Sequence, residues 1–175
     1  MIVHVGNLKY EWQSDWAKNP KTDGHSHHGL VVSKTGDIIT AHNTVPEILI
    51  FDQDGNLKKS FLVPVIANHG LALSEENGKE YLWITDTGSK GVSRPAQVLK
   101  VALEGNVLLK IKKEDLKLPE ADKFVPTCCA IEPGNGNIWI TDGYGSSRIF
   151  CLNNKKELLF KIDGSEGSAG KFNCP

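Results

Sequence analysis

Several features that would place this sequence in a common functional class are absent. The 175-residue chain has 20 Lys and Arg against 21 Asp and Glu, so no excess of charge favours nucleic acid or an anionic membrane as a partner. No apolar run approaches the ~18–20 residues needed to cross a bilayer. The N-terminus lacks the charged, apolar and small-residue regions of a secretory signal peptide. The sequence as written therefore predicts a soluble cytoplasmic protein, and a secreted or periplasmic one stays open if a leader is missing.

Cysteine is scarce, and its four positions all lie in the second half of the chain: Cys128, Cys129, Cys151 and Cys174. Adjacent Cys128 and Cys129 would point to opposite faces of a strand and are poorly placed to share a metal, and no CxxC zinc spacing occurs. Two disulfides are one alternative, but the missing secretory signal favours buried free thiols. Motifs for a nucleophile elbow, a phosphate-binding loop and a dinucleotide site are also missing.

What the sequence does contain is an internal repeat. Each of three units reads as a short apolar strand, a Gly or Asn turn, a second strand, a third strand, a turn of the Asp-Gly kind and a fourth strand. Trp-Ile-Thr-Asp ends the second strand in two units, at 83–86 and 139–142. The strands are rich in β-branched and aromatic residues, which is typical of β structure. Four strands repeating every ~40–60 residues indicate β-propeller blades.

We therefore predict an all-β fold built from propeller blades of four antiparallel strands. The chain is expected to divide into blades at 24–63, 64–112 and 124–163, followed by a connector at 164–175. The charged insert at 112–123 predicts a surface loop or a short helix. A small β-sandwich is the alternative, but it does not explain why Trp-Ile-Thr-Asp recurs at the same place.

The faces of a propeller blade are buried only by its neighbours, and three blades cannot close a ring. We therefore expect a single incomplete domain, about half of a six-bladed propeller. Tyr10 to Trp12 and Trp16 are interpreted as a strand that pairs with the last blade. A chain that completes the ring by self-association through its open blade faces is the alternative.

The third unit carries a resemblance to a known family. Its motifs at 124–131 (Phe-Val-Pro-Thr-Cys-Cys-Ala-Ile), 140–148 (Ile-Thr-Asp-Gly-Tyr-Gly-Ser-Ser-Arg) and 170–175 (Gly-Lys-Phe-Asn-Cys-Pro) resemble those of NHL-repeat propellers. Among these, the chain is most similar to the lyase domain of peptidylglycine α-amidating enzymes. The Asn-His-Gly-Leu sequence at 68–71 matches that family's Pro-His-Gly-Leu strand. Uncharacterised bacterial six-bladed propellers share these motifs.

This resemblance implies a zinc ion on the propeller axis, held by three histidines from different blades, with a calcium ion nearby. His69 corresponds to one zinc ligand, and Tyr144 corresponds to a catalytic-site tyrosine. The family's catalytic arginine falls near Asn43, and Gly145 stands where the family has a paired cysteine. A zinc-dependent lyase acting on peptidyl-α-hydroxyglycine is the activity that the resemblance implies.

The residues themselves also indicate a site on the propeller axis. The inner strand of each blade lines the channel, so His28 and His69, at matched places in two units, are expected to converge at the channel mouth and to suit zinc. Their alternative role is that of hydrogen-bonded polar groups that fill the axis. Tyr144 is the candidate general acid or base, although an exposed turn tyrosine is equally compatible with the pattern. His42 and Arg148 are candidate binding residues at the same mouth.

Four more residues are expected to act structurally. Asp86 and Asp142 end the Trp-Ile-Thr-Asp strands, where a carboxylate most often caps backbone amides of the following turn. Trp83 and Trp139 occupy matched positions, which favours packing between blades over a ligand platform.

Two functions remain open at the level of sequence. We favour an NHL-like propeller that serves as a binding platform, with an axial zinc or calcium site and a small molecule or peptide bound at the channel mouth. The alternative is the metal-dependent lyase. A propeller fold does not choose between them, because this fold supports many unrelated functions.

Overall fold

Three four-stranded antiparallel sheets form the body of the computed structural model, which describes residues 1–18, 29–42, 44–88 and 95–175. The sheets are here called blades 1 to 3. Blade 1 comprises β3 (Leu30–Val32), β4 (Ile38–Ala41), β5 (Glu47–Phe51) and β6 (Leu57–Leu62). Blade 2 comprises β7 (Asn68–Glu76), β8 (Lys79–Asp86), β9 (Gln97–Ala102) and β10 (Val107–Ile111). Blade 3 comprises β11 (Cys128–Ile131), β12 (Ile138–Asp142), β13 (Arg148–Leu152) and β14 (Leu158–Ile162).

The strands of each blade follow one another in chain order and pair with their sequence neighbours. Tight turns that need positive φ join them, as at Gly55 between β5 and β6 and at Gly105 between β9 and β10. The predicted all-β fold with four antiparallel strands per blade is confirmed.

Two apolar cores hold the blades together. One lies between blades 1 and 2 and contains Ile39, Ile48, Ile50, Leu71, Leu82, Ile84 and Leu99. The other lies between blades 2 and 3 and contains Trp83, Val98, Ile111, Cys129, Ile138, Ile140, Phe150 and Leu152. Blades 1 and 2 thus each bury apolar side chains against the next blade along the chain, as a propeller requires.

The insert before blade 3 adds to the second core. A short 3-10 helix, Lys113–Leu116, begins it, in agreement with the predicted loop or short helix. Leu116 from this helix is fully buried, and Phe124 at the end of the insert is buried in the same cluster.

The N-terminal segment forms a hairpin of its own. β1 (Ile2–Val5) pairs with β2 (Leu8–Glu11), and the two-residue turn between them has Gly6 at positive φ. Tyr10 therefore pairs with Val3 in this hairpin rather than with a blade. Trp16 instead anchors the following residues to blade 1, because its indole nitrogen donates to the Gln53 carbonyl at 3.2 Å. No helix in the described ranges is long and apolar enough to cross a membrane.

Candidate functional site: the His69–Tyr144 pair

The side chains of His69 and Tyr144 meet at the boundary between blades 2 and 3. His69 lies at the start of β7, and Tyr144 lies in the turn between β12 and β13. The Nε2 atom of His69 lies 3.2 Å from the Tyr144 hydroxyl oxygen, although the residues are 75 positions apart in the chain. The rings are nearly perpendicular, with an angle of 82° and centroids 5.2 Å apart. The fold therefore brings together two residues that were candidates for separate reasons.

The other nitrogen of the His69 ring determines what this contact can do. Nδ1 lies 2.7 Å from the backbone carbonyl oxygen of Thr127 in blade 3. A carbonyl oxygen only accepts hydrogen bonds, so Nδ1 must carry the proton. In the neutral imidazole, Nε2 then has the lone pair and accepts the Tyr144 hydroxyl proton. The pair is thus arranged as a proton donor facing a base.

Two glycines and an aspartate shape the turn that presents Tyr144. A side chain on Gly143 would come within 2.3 Å of the Pro175 carbonyl oxygen, and one on Gly145 would collide with the Asp142 carboxylate. Asp142 is fully buried and accepts hydrogen bonds from the Val125 amide at 2.5 Å and from the Ser146 amide at 2.8 Å. The phenol of Tyr144, by contrast, belongs to a residue that is 57% exposed and therefore open to a ligand.

An open cleft of about 1200 Å³ adjoins Tyr144 at this end of the fold. The insert before blade 3 and the turn after β12 form much of its wall. Its lining includes Thr87, Lys113, Lys123, Phe124, Tyr144 and Cys174. The cleft is open to solvent and mixes apolar, hydroxyl and charged groups.

Asp86 has in blade 2 the same type of contacts that Asp142 has in blade 3. Its carboxylate accepts the amides of Ile66 at 3.1 Å, Ala67 at 2.9 Å and Gly88 at 3.0 Å. These amides belong to the connection that enters the blade and to the loop after β8. Asp86 thereby fixes the path of the chain on both sides of the strand, and its carboxylate points into this backbone rather than toward a ligand.

His42 stands in blade 1 where Asp86 and Asp142 stand in the other blades. Ile39, the second residue of β4, lies in the core that faces the next blade, as Trp83 does in β8. His42 follows Ile39 by three residues, as Asp86 follows Trp83. His42 therefore occupies the aspartate position. His42 is buried, and its Nδ1 accepts the Thr44 amide at 3.1 Å and the Val45 amide at 3.3 Å. An imidazole therefore caps the turn in blade 1.

Arg148 does not reach the pair in the structure. Its guanidinium binds the Asp122 carboxylate at 2.7 Å, and both side chains are partly exposed. The ion pair ties β13 to the insert that lines the cleft, so Arg148 shapes one wall of the cleft.

The two tryptophans differ in their surroundings. Trp83 is 2% exposed in the core between blades 2 and 3, and its indole nitrogen donates to the Ser74 hydroxyl at 2.9 Å. Trp139 is half-buried on the other face of blade 3, where its ring lies edge-on to Phe160 at 5.2 Å.

A metal needs more ligands than the described residues bring together. These residues contain no group of three or more His, Cys, Asp or Glu side chains that could hold a metal ion. His69 has Nδ1 bonded to a carbonyl, as metal-bound histidines commonly do. His28, the second predicted ligand, and Asn43 lie outside the described residues. One imidazole is fewer than the three protein ligands of a catalytic zinc. The described residues therefore do not form a catalytic zinc site by themselves.

Two threonines next to His69, Thr85 and Thr127, have no distinctive sequence signal. The Thr127 carbonyl holds the His69 ring, and the buried Thr85 hydroxyl lies 3.1 Å from that same carbonyl oxygen. The recurrent Thr of Trp-Ile-Thr-Asp was visible in the sequence, but threonine is also a common strand residue, and only the contacts reveal its role.

The fold is similar to that of known propeller proteins. No protein-family model matches the chain. A streptogramin B lyase structure superposes with a TM-score of 0.57 and 22% identity, over 78% of this chain and 40% of that one. The virginiamycin B lyase of Staphylococcus aureus superposes with a TM-score of 0.56 and 18% identity, over 77% of this chain and 40% of that one.

These comparisons identify the architecture. The chain has a β-propeller fold. It spans about 40% of the length of these two similar structures. At these identities the likeness concerns the fold, and the function has to be argued from the site itself.

Proposed function

We propose that this protein is an NHL-like propeller that serves as a binding platform, with its ligand site at the His69–Tyr144 pair. The observation that carries the proposal is the hydrogen bond between His69 Nε2 and the Tyr144 hydroxyl across two blades. With its proton directed at His69 Nε2, the Tyr144 hydroxyl oxygen still has acceptor capacity, and its ring presents an aromatic face at the wall of the 1200 Å³ cleft. Such a group of convergent polar atoms suits one polar end of a small molecule or peptide, while the cleft holds the remainder.

We also propose a metal ion on the propeller axis, as a second step of this proposal. The Nε2 lone pair of His69 would bind the metal in place of the Tyr144 hydroxyl proton, and His28 is the other histidine proposed to bind the metal, with zinc first and calcium second. Metal analysis of the purified protein, followed by calorimetric titration with Zn²⁺ alone and Ca²⁺ alone, tests this step. Stoichiometric Zn²⁺ that is lost in His69→Ala supports it, and a metal-free protein without Zn²⁺ affinity contradicts it.

The binding site itself is tested by NMR with defined probes. A ¹⁵N-labelled sample is titrated with a set of N-acetylated tripeptides that differ in their C-terminal residue. We expect shift changes centred on His69, Tyr144 and the cleft residue Phe124, and their loss in His69→Ala. Leu62→Ala, at an exposed position of blade 1, is the control and should leave the shifts unchanged. Changes that spread evenly over the surface, or none at all, would overturn the proposal.

The alternative is a lyase that resembles peptidyl-α-hydroxyglycine amidating lyase. The observation in its favour is the tautomer of His69, because a base at Nε2 can take the Tyr144 proton and leave the phenolate to accept a proton from a substrate hydroxyl. A peptidyl-α-hydroxyglycine peptide is the test substrate, and glyoxylate release is the readout. Release that is lost in Tyr144→Phe supports the lyase. No release above the uncatalysed rate contradicts the lyase.

A further inference from the structure

We infer that Thr85 is a positioning residue for His69, an inference that rests on the proposed function of the His69–Tyr144 pair. Thr85 lies in β8 and is fully buried. Its hydroxyl oxygen accepts the Gly70 amide, the backbone group next to His69, at 2.6 Å. The same hydroxyl lies 3.1 Å from the Thr127 carbonyl oxygen that accepts His69 Nδ1. One hydroxyl thus contacts both the backbone amide that follows His69 and the carbonyl oxygen that His69 Nδ1 binds.

The geometry explains how this hydroxyl acts on the ring. Gly70 and Thr127 belong to different blades, and a side chain on Gly70 would approach the Thr127 carbonyl oxygen to 2.6 Å. The two backbones therefore lie in direct contact. The Thr85 hydroxyl accepts the Gly70 amide, and its own proton lies within reach of the Thr127 carbonyl at 3.1 Å and of the Gly70 carbonyl at 3.2 Å. With that carbonyl held in place, Nδ1 keeps its proton and Nε2 stays directed at Tyr144. Without the hydroxyl, the carbonyl loses one partner and the ring loses its fixed acceptor.

Blade 3 contains an internal control for this role. The Thr141 hydroxyl accepts the Cys128 amide at 3.0 Å, as the Thr85 hydroxyl accepts the Gly70 amide. It also lies 2.8 Å from the hydroxyl of Thr127. Thr141 therefore forms the same kind of contact within its blade, but none of its hydrogen bonds involves the Thr127 carbonyl or the His69 ring.

The experiment measures the tautomer of His69 by ¹⁵N NMR of the imidazole nitrogens. In the wild type we expect Nδ1 to give a protonated, pyrrole-type shift and Nε2 an unprotonated, pyridine-type shift. In Thr85→Val, which keeps the shape but removes the hydroxyl, the two shifts should move toward each other as the tautomers mix. Thr85→Ser should restore the separate shifts, and Thr141→Val should leave them unchanged.

The inference fails if Thr85→Val, shown to be folded by its amide spectrum, keeps the wild-type shifts. It also fails if the wild type itself has mixed tautomers or the Nε2 proton, a result that does not depend on whether any variant folds. Tautomer and ligand binding are separate readouts. A fixed tautomer in a protein that binds no tripeptide probe would refute the proposed function and leave the role of Thr85 in orienting His69 intact.

Discussion

Trp83 and Trp139 occupy the same position in successive blades, each three residues before the aspartate that ends the second strand, but they lie in different surroundings. Trp83 is buried at 2% exposure between blades 2 and 3, whereas Trp139 lies half-buried beside Phe160 on the face of blade 3 that no other blade of the described structure covers. The side chain is the same in both cases, and the presence or absence of a following blade makes the difference.

This pair predicts unequal effects on stability. Trp83→Ala should lower the free energy of unfolding by about 3–5 kcal/mol, because it leaves a large cavity in a packed core. Trp139→Ala should cost less than about half as much, since solvent already reaches part of the ring. Urea denaturation of the two variants measures the difference. Equal losses would contradict the assignment of Trp83 to the core between blades.

The buried Asp142 carboxylate predicts a large local effect. It accepts the Val125 and Ser146 amides and the Ser146 hydroxyl, so Asp142→Ala leaves three partly buried donors without this partner. We expect a loss of about 3 kcal/mol in unfolding free energy. Thermal unfolding should show it. Asp54→Ala, in an exposed turn, is the matched control and should change the stability by less than about 0.5 kcal/mol.

The four thiols should react in two classes. All are free, but Cys128 and Cys174 are exposed, whereas Cys129 and Cys151 are buried. Burial raises the pKa of the Cys129 thiol, which lowers its fraction of reactive thiolate further. A thiol reagent such as 5,5′-dithiobis(2-nitrobenzoate) should label two cysteines quickly and the other two only after unfolding. Rapid labelling of Cys129 in the native protein would show that the core between blades 2 and 3 is open.

The raised pKa of Cys129 also predicts a dependence of stability on alkaline pH. The ordinary value is 9.0, and the folded state keeps its proton above that pH while the unfolded chain loses it. The contribution of this thiol to stability is therefore complete below about pH 9 and decreases as the pH rises beyond it. Unfolding curves from pH 8 to 11 should show a steeper loss in the wild type than in Cys129→Ala. Cys174→Ala, which removes an exposed thiol, is the control.

The uncovered face of blade 3 predicts self-association of the 175-residue chain. It presents Trp139 and Phe160, the latter 45% exposed, as an apolar surface like those buried between the other blades. Sedimentation velocity should show a second copy bound at micromolar concentration, and Phe160→Lys should weaken the association by roughly tenfold or more. Leu62→Lys, at a more exposed position of blade 1 (70%), should have little effect. A monomer at all concentrations would exclude this interface.

Much of the local structure followed from the sequence. Short β-branched strands and tight turns with glycine at positive φ depend on residues that are neighbours in the chain. The order of strands and turns along the sequence therefore predicted blades of four strands. The Trp-Ile-Thr-Asp repeat correctly located the second strand in each of two blades, β8 in blade 2 and β12 in blade 3. In blade 1 the same strand, β4, is followed by His42 instead of ending in aspartate, and the pairing of β4 and the capping by the imidazole reveal the match.

The candidate site was readable only in part. His69 and Tyr144 were identified by resemblance, but their spacing of 75 residues gave no sign that the two side chains meet. Thr85 and Thr127 were not identified, since their roles depend on a carbonyl and a hydroxyl that approach across the blade boundary.

The sequence by itself determined the all-β character, the four-stranded units and the turns, because these depend on residues close together in the chain. Only the tertiary structure decided which tryptophan is buried, which ring nitrogen of His69 carries the proton and which residues share the cleft. Those properties arise where one blade packs on the next, and the contacts between blades join residues that are distant in the chain.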